Sequence, residues 1–267
     1  MQKIKFWKMS GAGNDFVLIT GRRGTAALKR LAVKLCSRRT GAGTDGLLCV
    51  NGAGRGAVSV RYFNSDGSEA FCGNGSRCSA LWARANRLAK AGRFTLRTSA
   101  GDLEAEVTGR GRVRMSMPDV RGASLRHRGS WPAGVGEVHF LDTGVPHAVV
   151  PVKDLERLDV RGLGRALRFH RAFGRGGANV DFVKVSGGTV RVRTYERGVE
   201  DETLACGTGI TASAVALALD GRVKPPVRLE SRGGDVFKVW LNPEGRGASD
   251  LVIEGPARMV FQGEIEC

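Results

Sequence analysis

The chain repeats itself. Its two halves carry the same short segments in the same order, at an offset of 132 to 134 residues. Ser10-Gly-Ala-Gly-Asn14 runs into Phe16-Val-Leu-Ile19, and Thr143-Gly-Val-Pro-His147 runs into Ala148-Val-Val150. Gly43-Thr-Asp-Gly-Leu-Leu48 matches Gly177-Ala-Asn-Val-Asp-Phe182, and Val60-Arg-Tyr-Phe-Asn64 matches Val192-Arg-Thr-Tyr-Glu196. Cys72-Gly-Asn-Gly75 and Cys206-Gly-Thr-Gly209 each lead into a small-residue segment. Leu96-Arg-Thr-Ser-Ala-Gly-Asp102 then pairs with Leu229-Glu-Ser-Arg-Gly-Gly-Asp235. One match is chance; five in order are two homologous halves, assigned as 1–118 and 119–267 and meeting near Met117 to Gly122, with the extreme C-terminus able to pack back on the first.

Within each half the pattern is alike. Runs rich in Val, Phe, Thr and Tyr, such as Ala57 to Phe63 and Thr189 to Tyr195, read as strands bounded by turn residues. Ala26 to Cys36 and Gly162 to Phe173 place apolar residues at helical spacing. The segments after the two Cys-Gly-x-Gly turns predict helices of roughly four turns, the second stopping at Asp220-Gly221. The expected fold is α/β of the α+β type. Two pseudo-symmetric domains each wrap mixed strands around a central helix, with the active site in the cleft between them.

Composition excludes more than it identifies. At 42% hydrophobic and 25% charged residues the chain is an ordinary globular one. The start lacks the apolar run of a secretory signal, and no stretch approaches a membrane span, so a cytoplasmic location is expected. Six cysteines are too sparse for a disulfide scaffold and lack metal-finger spacing, so most read as small buried hydrophobes. The net charge of +16 could signal nucleic acid. The basic residues are scattered, however, and aromatics make up only 6% of the chain, so an Arg-rich solvated surface is the expected reading and no nucleic-acid partner is.

Cys72 and Cys206 are the exceptions among the cysteines. Each stands where a helix begins, and the flanking glycines let backbone come close to a ligand. The first free N–H groups of a helix hold anions, and its positive end favours thiolate over thiol. Each half thus offers a base beside a carboxylate seat. Inverting an amino-acid α-carbon requires a base on one face and an acid on the other, with donors for the charge that builds on the carboxylate. Asn14, Asn64 and Asn179 read equally as turn or cap residues, His147 as a loop residue and Glu196-Arg197 as exposed charges. The repeat, pairing Asn14 with His147 and Asn64 with Glu196, favours a shared site.

Ser10-Gly-Ala-Gly-Asn-Asp-Phe16, Phe63-Asn-Ser-Asp-Gly-Ser-Glu-Ala-Phe-Cys-Gly-Asn-Gly75 and Tyr195-Glu-Arg-Gly-Val-Glu-Asp-Glu-Thr-Leu-Ala-Cys-Gly-Thr-Gly209 resemble the signature segments of the diaminopimelate epimerase family. The resemblance extends from residue 8 to about 260. It implies interconversion of LL- and meso-2,6-diaminopimelate in lysine biosynthesis, without pyridoxal phosphate or metal, by a homodimer. It also implies Cys206 as base toward the LL substrate and Cys72 as acid. Gly73, Asn74, Gly207 and Thr208 would hold the α-carboxylate through their backbone, and His147 and Glu196 would orient the α-amino group and modulate the thiols. Asn64, Asn179 and Arg197 would read the distal end, and Asn14 would make a further contact. The chain departs from some relatives at Val145, where they carry Asn, and at Gly46, where they carry Gln. Arg197 still supplies a bidentate fork suited to a diacid. The rivals are a two-thiol epimerase of proline or hydroxyproline, which needs no distal carboxylate clamp, and a basic nucleic-acid-binding protein.

Overall fold

The alternating runs become strands and the small-residue segments become helices. The computed structural model describes residues 3–266 and divides into two compact units, Met1–Met115 with Gly255–Cys267, and Ser116–Glu254. The first unit contains β1 (Lys3–Gly11), β2 (Asn14–Ile19), α1 (Thr25–Cys36), β3 (Gly46–Gly52), β4 (Val58–Asn64), β5 (Glu69–Ala70), α2 (Gly73–Ala85), β6 (Arg93–Thr98), β7 (Gly101–Gly109) and β8 (Arg112–Ser116). The second contains β9 (His139–Asp142), β10 (Pro146–Pro151), α3 (Val160–Arg168), β11 (Asn179–Ser186), β12 (Thr189–Glu196), β13 (Asp201–Thr203), α4 (Gly207–Leu219), β14 (Val227–Ser231), β15 (Val236–Glu244) and β16 (Gly247–Pro256). The chain then returns to the first unit with β17 (Arg258–Glu266). Cys267 lies outside the described residues.

The sequence repeat is a repeat of topology. In the first unit β2 and β3 run parallel, β3 and β4 form an antiparallel pair, and β6 joins β4 in parallel before the β6–β7–β8 meander. In the second, β10 and β11 run parallel, β11 and β12 pair antiparallel, and β14 joins β12 in parallel before β15 and β16. A short strand, β5 or β13, hangs on the same neighbour in each. One extra antiparallel partner, β17, flanks β1 in the first unit.

The second helix of each unit lies inside the curl of its own strands. α2 touches β1, β2, β3, β4, β6, β7 and β17, and α4 touches β9, β10, β11, β12, β14 and β15. α4, so enclosed, is small or apolar on every side and carries no amphipathic stripe. Residues from Gly207 to Leu217 are buried apart from Thr208, and α2 is buried from Asn74 through Ala80. Gly, Ala, Ser and Thr let strands approach on every side. The first helices, α1 and α3, pack on the outside and bury one face each. Leu28, Ala32 and Leu35 of α1 join Val17, Ile19, Leu47 and Phe63. Val160 and Leu167 of α3 join Val150, Val180 and Phe182.

The helix expected over 162–173 is shorter and broken. α3 ends at Arg168, His170 is extended, and Arg171–Phe173 form a separate 3₁₀ turn. His170 Nδ1 accepts the Ala172 N–H, an alternative to the helical bond that starts the new turn. The stop at Asp220-Gly221 matches the expectation, with Gly221 at φ 75° past the end of α4.

Candidate active site

Each of the two cysteines occupies the cap position of a buried helix, but the surroundings differ. In the first unit Cys72 is extended at φ −139° and its Sγ accepts the Gly75 N–H at 3.4 Å. Asn74 is buried, and its Nδ2 donates to Asn14 Oδ1 at 2.6 Å. Asn14 in turn donates to Asp45 Oδ2 at 3.2 Å, and Arg77 Nη2 donates to Asn74 Oδ1 at 2.6 Å. A fully buried guanidinium, two amides and a carboxylate thus form one directed chain beside the first turn of α2. A Cβ on Gly73 would meet nothing within 4 Å, whereas one on Gly75 would fall 2.8 Å from Leu48 Cδ2. The first glycine of the turn opens onto free space; the second accommodates packing.

Asn64 ends β4 directly across from Gly46. Its Oδ1 accepts the Tyr62 hydroxyl at 2.8 Å, and its Nδ2 donates to Ser68 Oγ at 2.9 Å. The Tyr62 ring takes the place a side chain on residue 46 would fill, since a Cβ there would collide with the ring and lie 2.8 Å from its hydroxyl. The departure at Gly46 is therefore structural as well as chemical: an aromatic ring occupies the space.

In the second unit Cys206 is buried and makes no capping bond; its Sγ lies 3.3 Å from Thr208 Oγ1. Two carboxylates bear on it. Burial first, then the charges of Glu196 and Asp181, push its thiol well above the ordinary range, against weaker help from Thr208 and the Gly209 N–H. The sequence expectation of a thiol lowered by the helix end is corrected here: burial and two negative neighbours raise it. His147 is fully buried, with Nδ1 2.7 Å from Asp181 Oδ2. Asn179, beside His147 in the parallel register, donates to Pro146 O at 3.1 Å and accepts the Arg197 backbone N–H at 2.8 Å. His147, Asn179, Glu196, Arg197, Cys206 and Thr208 thus lie at one end of the second unit.

Of the other thiols, Cys36, Cys49 and Cys78 are buried, and burial raises each, Cys78 to about 12. They are packing residues. One group among the described residues has the makings of a cation site, Glu137, His139 and Asp220. Arg126 and Arg222 already pair with both carboxylates. His139 Nδ1 accepts the Arg126 backbone N–H at 3.2 Å, so Nε2 keeps its hydrogen and has no lone pair to offer a metal.

The family model for diaminopimelate epimerase matches residues 6–121 and 139–260. The chain belongs to the diaminopimelate epimerase family. The diaminopimelate epimerase of Aquifex aeolicus is 40% identical over 98% of both chains, and that of Chlorobaculum tepidum 37% identical over 96% of this chain and 99% of its own. Among solved structures, a PhzF-family phenazine biosynthesis protein of Bacillus anthracis aligns over 100% of both chains at TM-score 0.77 and 16% identity. A hydroxyproline epimerase of Agrobacterium vitis aligns over 99% of this chain and 91% of its own at TM-score 0.72 and 20% identity. These structural likenesses establish the fold of the epimerase family.

Sequence reasoning missed Asp181, Thr194, Arg77, Asp45 and Tyr62. Asp181 left a signal: a lone acid in the apolar run Val180-Asp-Phe-Val183 has no place in a buried strand unless something pairs with it. The roles of Arg77 and Tyr62 depend on contacts that side chains make in space, and left none.

Proposed function

We propose that the chain interconverts LL- and meso-2,6-diaminopimelate, using Cys206 as base toward the LL substrate and Cys72 as the acid on the opposite face. The observation that carries this reading is the duplicated one: two units of like topology each hold a cysteine at the cap of a buried central helix, followed by a glycine. The two thiols exchange roles after each turnover. The amides of Gly73, Asn74, Gly207 and Thr208 receive the reacting carboxylate, where a helix start supplies unpaired N–H donors. His147 and Glu196 attend the α-ammonium group, Asn64, Asn179 and Arg197 the distal end, and Asn14 makes a further contact. Two carboxylates close to Cys206 suit a cationic ligand better than a neutral one.

This chemistry belongs to lysine and cell-wall precursor synthesis in the cytoplasm, and no described helix is long and apolar enough to cross a membrane. The proposed assembly is a homodimer, supported by the exposed apolar run Met259, Val260 and Phe261 on β17. Incubating LL-diaminopimelate with enzyme in heavy water should yield meso product carrying deuterium at the inverted α-carbon. Turnover of proline or hydroxyproline instead would select the rival two-thiol reading. Salt-sensitive binding of DNA or RNA, unaffected by Cys72→Ala, would select the nucleic-acid reading.

A further inference from the structure

The Asp181 carboxylate is fully buried, and both its oxygens are engaged. Oδ2 meets His147 Nδ1 at 2.7 Å, and Oδ1 accepts the Thr194 hydroxyl at 2.7 Å. It also lies against the first turn of α4, where a Cβ on Gly209 would land on Oδ1. The second glycine of Cys-Gly-Thr-Gly is therefore there to admit a carboxylate. His147 is equally buried, and its other nitrogen, Nε2, is buried with no hydrogen-bond partner among the described residues. A carboxylate accepting from Nδ1 fixes the proton there and leaves Nε2 as the acceptor of the neutral ring. A buried acceptor without a donor is costly unless a ligand supplies one.

We propose that Asp181 is the positioning residue of the Cys206 half-site, holding His147 by Nδ1 so that Nε2 accepts a hydrogen bond from the substrate's α-ammonium group. The assignment of that group rests on the epimerase reading above. The same carboxylate faces Cys206 together with Glu196, while Thr208 and the Gly209 N–H act the other way. Asp181 thus does two things at once. It orients the imidazole, and after burial and Glu196 it adds to what raises the neighbouring thiol, a charge that an arriving cation would offset. In the first unit the corresponding contact on Gly75 is made by Leu48, an apolar side chain. The device belongs to one half only.

The test uses the full-length enzyme with Asp181→Asn and Thr194→Val. Three readouts separate a positioning role from a structural one: histidine ¹⁵N NMR for the His147 tautomer, the pH profile of Cys206 alkylation followed by peptide mass, and kcat and KM for LL-diaminopimelate. Wild type should show His147 protonated on Nδ1. Asp181→Asn should lose that signature, move Cys206 alkylation to lower pH, and reduce kcat/KM about tenfold or more, mainly through KM. Thr194→Val keeps the charge but frees the carboxylate, and should weaken the tautomer signal and raise KM by a smaller factor. If Asp181→Asn folds and leaves the Cys206 profile and the His147 signature unchanged, the proposal is overturned. If it does not fold, an unchanged tautomer signal and KM in Thr194→Val overturn it instead. Both spectroscopic changes in an enzyme that never turns over diaminopimelate would uphold the role of Asp181 and sink the substrate reading.

Discussion

The first turns of α2 and α4 are copies of one another in sequence and opposites in electrostatics. Beneath Gly75 lies Leu48; beneath Gly209 lies Asp181. Cys72 is half-buried and takes a backbone N–H on its sulfur, whereas Cys206 is buried, without a capping bond, beside two carboxylates. Beside α2 a guanidinium and two amides lead out to the partly exposed Asp45 carboxylate; beside α4 a carboxylate and an imidazole are buried together. Duplication fixed the scaffold, and divergence at a few inward positions gave each sulfur its own field. A pair that must act as acid and base in turn does not need identical surroundings. It needs surroundings that the substrate's own charges can balance.

Removing either sulfur tests directly whether both halves take part. Cys72→Ala and Cys206→Ala should each lower epimerisation by about 10³-fold or more, with circular dichroism unchanged. If one variant keeps near-native steady-state rates, that half is not part of the chemistry. Transplanting the charge comes next. Leu48→Asp would bury a carboxylate beneath α2 without the His147 and Thr194 partners that Asp181 has, costing about 3–5 kcal/mol in urea unfolding at neutral pH. A smaller loss would mean the first unit can already accommodate the charge.

The glycines of the two turns differ in what surrounds them. Gly209→Ala should cost about 1–3 kcal/mol by overpacking Asp181. Gly73→Ala, with open space at its Cβ, should stay within about 0.5 kcal/mol of wild type in stability, and should raise KM if the carboxylate approaches there as proposed. Equal stability losses at the two sites would erase the distinction between packing and ligand glycines.

Cys206 alkylation should still be rising above pH of about 8.5, where a free thiol is half ionised, since burial and two carboxylates delay its thiolate. All four histidines fall in the second unit. His139 is held neutral, its folded value lowered first by burial, against opposing carboxylates. Its contribution to stability is intact above the unfolded value of about 6.5 and is lost as pH falls through the lower folded value. Hydrogen exchange at pH 5.5 and 7.5 should therefore show acid loosening β9 in the second unit before any strand of the first. Loosening confined to the first unit would count against this assignment.

The fold was legible to the extent that it was repeated. Any strand or helix present twice could be read from the other copy, so β4 and β12, and α2 and α4, emerged from the pattern close to their observed bounds. The break after Arg168 was not legible, because the competing bond from His170 depends on a local side-chain contact. At the site, Cys72, Cys206 and the glycines were readable from spacing. The direction of the Cys206 shift was not, because burial and the approach of Asp181 and Glu196 exist only once the sheet has closed round the helix.

The placement of β17 bears on the order in which the protein is made. β1 leaves the ribosome well before its partner β17, which follows the whole of Ser116–Glu254. The second unit is continuous and can complete its strand set while translation proceeds. The first must wait, with the β17 side of β1 unpaired, for β17 to arrive. An unpaired strand edge is a site for mistaken pairing with other chains. Late closure therefore puts the burden of escaping aggregation on the half of the molecule synthesised earliest.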